Sequence, residues 1–208
     1  VTSSSAQVVA LAHPLAPEDR SRAEFYALLA RLYAEAPDRS LLRSIAGAQT
    51  MEGDGALAPA WNRLVAASSA MDVDAVAQEY TDLFVGVGQC DVNLHASHWI
   101  AGAMLDRPLA DLRGELAALG LGRRRDVVML EDHLSALFET MRLLVVGEGD
   151  RRPASVAVQR AFFERHIGSW AFLCCGAIRE SSIANYYACV AELTGQFMAL
   201  DRDALAME

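Results

Sequence analysis

From Pro17 onward, apolar residues return every three or four positions through nearly the whole chain, and no run of alternating β-branched residues is long enough for a strand. Such spacing gathers apolar side chains into one stripe along an α-helix. Leu134, Leu137, Phe138, Met141, Leu144 and Val145 are the clearest case, falling at i, i+3, i+4, i+7, i+10 and i+11. The expected fold class is all-α, an irregular bundle of about ten helices. No internal repeat of fixed period is visible.

Turn and cap residues punctuate the pattern. Pro17, followed by Glu18 and Asp19, opens a helix carrying Phe25, Leu28, Leu29 and Leu32, and Pro37 closes it. Asp38 and Asp72 are placed to cap the second and fourth helices, with a glycine-rich loop from Gly47 to Gly55 and a third helix around Trp61, Leu64 and Val65 between them. The fourth helix bears Val73, Val76, Tyr80, Leu83 and Phe84 and is broken by Gly86 and Gly88; a polar loop from Gln89 to His95 and a short helix from Ser97 to Met104 follow. A helix with Leu109, Leu112, Leu116 and Leu119 ends at Gly120, where the Gly- and Arg-rich GLGRRRD begins. That joint is the candidate hinge, giving one domain over 1–208 with an N-terminal lobe of about 17–120, a hinge of about 120–131 and a C-terminal lobe of about 132–200. Beyond it, Pro153 suits a helical first turn, a nearly all-apolar helix spans His166 to Ile178, and Ser182 suits the cap of a last long helix.

Composition narrows the function. The chain has 208 residues and a formal charge of −9; all 18 of its basic residues are arginine. Nucleic acid and anionic membrane are poor partners for such a surface, since both are bound through a basic face, and a cationic partner fits better. No segment reaches the ~18–20 apolar residues needed to cross a bilayer. The opening stretch has no basic residue before Arg20 and so lacks the charged front of a secretory signal, which makes cytoplasm the expected compartment. Four cysteines, Cys174 and Cys175 adjacent among them, suit reduced thiols rather than a disulfide framework.

Most enzyme chemistries fail on residue type or spacing. Without lysine there is no P-loop and no Schiff base; there is no GxSxG elbow and no pair of Glu-x-x-His motifs. Cys90, His95 and His98 have ligand chemistry for zinc, although no fourth ligand is evident. Asp132 reads as a cap or first-turn anion of the helix after the joint. His133 is harder to place: an imidazolium there opposes the helix dipole, so the ring should be neutral, turned inward or paired with a carboxylate. Tyr80, Leu83 and Phe84 read either as core or, beside Gly86, a polar loop, His98 and Trp99, as the floor of a peptide groove.

Three stretches together resemble the TorD/DmsD/NarJ family of cytoplasmic molybdoenzyme maturation chaperones, the redox enzyme maturation proteins. EYTDLFVGVG is similar to the family's aromatic-x-x-Leu-Phe helix and glycine; LEDHLSALFETMRLL to its Asp-His-Leu stretch; and FFERHIGSWAFLCCGAI with NYYACVAELTGQF to its C-terminal part. Trp99 stands where relatives often carry another aromatic, and Met129 and Leu130 where a Glu-Pro commonly precedes the Asp-His pair. The resemblance implies a non-enzymatic chaperone without a cofactor or metal of its own. It would bind the twin-arginine signal peptide and apo-form of a molybdenum-cofactor oxidoreductase catalytic subunit, assisting cofactor insertion and delaying export. Its client-binding residues would be Tyr80, Leu83, Phe84, Gly86, His98, Trp99, Asp132 and His133. The chaperone would be cytoplasmic, without stable membrane association, and a monomer or a helix-exchanged dimer. Two other readings stay open: a NarJ-like assembly factor for a subunit that is not exported, and a small helical metal-binding protein.

Overall fold

The computed structural model describes residues 15–86, 90–102, 107–124, 126–149 and 151–207. The expectations at Gly88, Gln89, Met104 and Asp106, and the third joint arginine, Arg125, fall outside them. Among the described residues there are ten α-helices and no strand: α1 (Pro17–Ala34), α2 (Arg39–Ala46), α3 (Leu57–Ala70), α4 (Val73–Tyr80), α5 (Ala96–Ala101), α6 (Arg107–Ala118), α7 (Leu134–Val146), α8 (Val156–Phe163), α9 (Ala171–Glu180) and α10 (Tyr186–Met207). Two π-helical turns extend α4 and α8, Thr81–Val85 and Glu164–Gly168. Among the described residues no helix is long and apolar enough to cross a membrane.

Where a boundary depends on neighbouring residues alone, it falls where the residue chemistry puts it. The Asp38 carboxylate accepts the Leu41 amide at 2.7 Å, and Asp72 accepts those of Asp74 and Ala75, so each cap satisfies amides that have no partner inside the helix. Gly86, at φ 58°, turns the chain out of the first π segment, a conformation that costs glycine little. Helix α6 begins at Arg107, with Pro108 in its first turn.

The core is a single apolar cluster drawn from nearly every helix. Tyr26, Leu29, Leu32 and Tyr33 of α1 are fully buried with Leu134, Leu137, Phe138 and Met141 of α7, the helix that α1 packs against most extensively. Helix α10 lies along α3 and α9 and contributes Tyr186, Tyr187, Val190 and Leu193. Helices from both sides of the joint therefore share one core. All four cysteines are free, and burial raises the thiol pKa of Cys174 and Cys175.

Three local expectations are corrected, two by nearby residues and one by a side chain from far along the chain. The apolar run from His166 to Ile178 is broken at Trp170, whose backbone leaves the helix at φ −142° while its indole N–H donates to the His166 carbonyl at 2.7 Å. Pro153 precedes α8 without joining it; the cap is Ser155, whose Oγ accepts the Val158 amide. Ser182 does not cap the last helix. Helix α10 starts at Tyr186, and the carboxylate of Glu79, on α4, accepts the amides of Asn185, Tyr186 and Tyr187 at 2.9, 3.1 and 2.7 Å. A buried anion against unpaired N-terminal amides is favoured by the helix dipole as well as by the hydrogen bonds.

Candidate functional site

The residues singled out in the sequence form two groups. The first is aromatic. Tyr80 and Phe84, one helical turn apart, meet with ring centroids 5.2 Å apart, and Phe84 stands edge-on to Tyr187 at 5.0 Å and to Tyr33 at 6.3 Å. The Tyr80 hydroxyl donates to the Tyr33 carbonyl at 3.2 Å. Burial, then the nearby charge of Glu35, pushes its pKa up to about 12, so it stays a donor. Tyr80 and Phe84 are half-buried, whereas Leu83 is fully buried in the core and its carbonyl accepts the Val92 amide at 2.9 Å.

That last bond leads to the second group. Residues 94–97 lie antiparallel to residues 132–134, with the Leu134 amide on the Leu94 carbonyl at 2.8 Å and the Ala96 amide on the Asp132 carbonyl at 3.0 Å. Asp132, 1% exposed, uses Oδ2 to accept both the Ser97 amide at 3.0 Å and the Ser97 hydroxyl. The sequence reading of Asp132 as a cap of its own helix is corrected: it caps α5, 35 residues away in the chain. Helix α7 is capped instead by His133, whose Nδ1 accepts the Ser135 amide at 3.2 Å. Nδ1 is therefore unprotonated and the ring neutral; burial, then the facing His95, pulls its pKa down to about 3. His95 meets His133 edge-on at 4.9 Å, with its own Nδ1 3.1 Å from Asn93 Oδ1. Burial lowers the His95 pKa, Asp132 opposes that shift and His98 adds to it.

His98 and Trp99 project from α5 beside this clasp. His98 is exposed, while Trp99 is half-buried and its indole donates to the Asn93 carbonyl at 2.7 Å. Cys90, His95 and His98 gain no further ligand, and among the described residues no three His, Cys, Asp or Glu side chains are grouped to hold a metal ion. Sequence reasoning missed Ser97, Tyr33 and Tyr187. An aromatic at helical spacing signals core in general, and nothing in the order of residues links Ser97 to Asp132.

A cleft of about 650 Å3 runs between the end of α6, the joint and α7. Leu116, Leu121, Met129 and Leu143 give it apolar walls, and Glu131 and Ser135, which flank the Asp132–His133 pair, line it as well. The two described joint arginines, Arg123 and Arg124, are engaged locally. Arg123 donates to the carbonyls of Val127 and Val128, Arg124 pairs with Asp126, and Glu131 is held between Arg113 at 2.9 Å and Arg123 at 3.5 Å.

A search of curated proteins finds no match. Among solved structures, the chain is similar to a protein from Archaeoglobus fulgidus assigned as a redox enzyme maturation protein, with 17% identity, a TM-score of 0.57, and coverage of 91% of this chain and 98% of that one. At that identity the likeness speaks for the fold. The family model described as nitrate reductase delta subunit matches residues 49–176, more than half of the chain, and takes in α4, the paired 94–97 and 132–134 segments, most of the cleft and the first part of α9. The chain belongs to the nitrate reductase delta subunit family, of the NarJ and TorD type, whose role is redox-enzyme maturation.

Proposed function

We propose that the chain binds the twin-arginine signal peptide and the apo-form of a molybdenum-cofactor oxidoreductase subunit, holding the precursor until its cofactor is inserted and delaying its export. It acts as a chaperone, not a catalyst, in the cytoplasm and without stable membrane association. The observation that carries this reading is the Asp132 carboxylate. It is the one buried side chain among the described residues with an unpartnered polar atom: Oδ2 is held by Ser97, and Oδ1 has no hydrogen-bond partner. A buried anionic oxygen without a donor is costly, and a guanidinium, charged and planar, is the group that best relieves it. The apolar cleft flanked by Glu131 and Ser135 suits the apolar segment that follows an arginine pair, and the net charge of −9 suits the approach of a basic leader.

Tyr80, Phe84, Gly86, His98 and Trp99 form the accessible part of the binding surface, with Leu83 and His133 holding it in shape from beneath. The joint at 120–131 serves as the hinge between the lobes. Exchange of helices through it would keep the α1–α7 packing between two copies, so monomer and exchanged dimer share one core. Calorimetric titration with a leader peptide tests the reading. Replacing both leader arginines by glutamine should weaken binding at least tenfold, and equal affinity for the two peptides would sink it.

The family match favours a second reading, in which the client is a nitrate reductase-like subunit that keeps its N-terminus and stays inside the cell. Sequencing the N-terminus of the mature client separates the two. A cleaved twin-arginine leader supports the first reading, and an intact N-terminus without the arginine pair supports the second.

A further inference from the structure

We propose that the paired segments 94–97 and 132–135 form an acid-sensitive clasp, with the neutral ring of His133 as the element that keeps it shut. The clasp consists of five long-range or capping bonds. The Ala96 amide reaches the Asp132 carbonyl, the Ser97 amide and hydroxyl both reach the Asp132 carboxylate, the Leu134 amide reaches the Leu94 carbonyl, and the Ser135 amide reaches His133 Nδ1. The last of these can exist only while Nδ1 carries no proton. A second proton on this ring replaces the acceptor with a donor, deprives α7 of its cap and sets a positive charge against the positive end of its dipole. The ring is 8% exposed, so the charge would gain little from water.

The surrounding groups set the order of events. On the α5 side His95 faces the ring at 4.9 Å, with His98 one helical turn beyond. On the joint side stand Asp132 and Glu131, and from α6 Arg113 holds Glu131. The Asp132 charge favours a proton on His95 rather than on His133, and a charged His95 then repels any proton approaching His133. The closed clasp therefore binds fewer protons than the open one, and acid favours opening. An ordinary histidine accepts its proton near pH 6.5, so opening should become easier by about tenfold per pH unit for each proton taken up below that point.

Opening releases the start of α5 from the start of α7, and with it the segment that bears His98 and Trp99. The clasp thus governs how that part of the surface is presented. It is a property of the free chain and can be measured without any client, so its success or failure is separate from that of the signal-peptide reading.

Amide hydrogen exchange read by NMR tests it, with rates corrected for the intrinsic effect of pH. Between pH 7.5 and 5.0, protection of the Ala96, Ser97, Leu134 and Ser135 amides should fall at least tenfold, while amides in the middle of α10 keep theirs. His133→Asn retains a capping acceptor that does not titrate and should flatten the response; His133→Thr serves the same purpose if the first variant does not fold. His98→Gln, which removes the exposed imidazole and leaves the His133 cap intact, should leave the response in place. Wild-type protection that does not change with pH, or a response that survives in a folded His133 variant, overturns the clasp.

Discussion

Two buried aspartates, one at each end of this molecule's functional logic, are treated in opposite ways. Asp201, on α10, is 3% exposed, and both of its oxygens are satisfied: Oδ1 by Arg22 Nε at 2.5 Å and Oδ2 by the Tyr26 hydroxyl at 2.6 Å. Arg22 is itself completed by Asp19 and Gln159, so the network ties α1, α8 and α10 together with no buried donor left over. Asp132 is equally buried but has donors on one oxygen only. A fully matched ionic network is what a purely structural site requires, since each unpaired member would cost more than the pair returns. The half-matched carboxylate is found instead in the segment where α5, α7 and the joint meet, inside the region that the family shares. Buried polar groups left incomplete tend to mark places where something else completes them.

Breaking the matched side should have the larger effect. Asp201→Ala leaves Arg22 Nε and the Tyr26 hydroxyl without their acceptor and should cost about 3–5 kcal/mol, read as a shift in the denaturant midpoint. A loss under about 1 kcal/mol would mean that the network relaxes onto water and that the contrast with Asp132 is empty. Glu79→Gln comes next. The amide keeps one acceptor oxygen for three backbone donors and gives up the charge at the α10 N-terminus, so destabilisation of about 1–3 kcal/mol is expected, again from the denaturant midpoint. Binding of the leader peptide should follow only the folded fraction.

The smallest effect on stability should come from Asp132→Asn. One side-chain oxygen still accepts from Ser97, and removing a partly unsatisfied buried charge offsets the weaker bond, so the midpoint should move by less than about 1 kcal/mol. Affinity for a leader carrying the arginine pair should nonetheless fall, while affinity for the glutamine-substituted leader should not. A large loss of stability with unchanged affinity would place Asp132 in the same class as Asp201 and erase the comparison.

Some of this could be read from the order of residues. The all-α class, the stops at Gly86 and Gly120, and the caps at Asp38 and Asp72 rest on interactions within a few residues, and each appears where local chemistry puts it. The Asp-His pair also stood out because its second member fitted poorly with a helix start. Its explanation was not legible, because the roles are exchanged: the histidine caps its own helix and the aspartate caps another.

The periodicity of apolar residues, the local caps and the charge balance were thus determined by the sequence alone, because they depend on side chains that are neighbours along the chain or on sums over the whole of it. Which carboxylate meets which helix end is set by the packing of distant helices. Glu79 reaches α10 across more than a hundred residues, and Asp132 reaches α5 across 35. Such pairings depend on how packed helices bring distant backbone amides into a low-dielectric interior, where an anion and unpaired N–H groups are each costly alone and stable together.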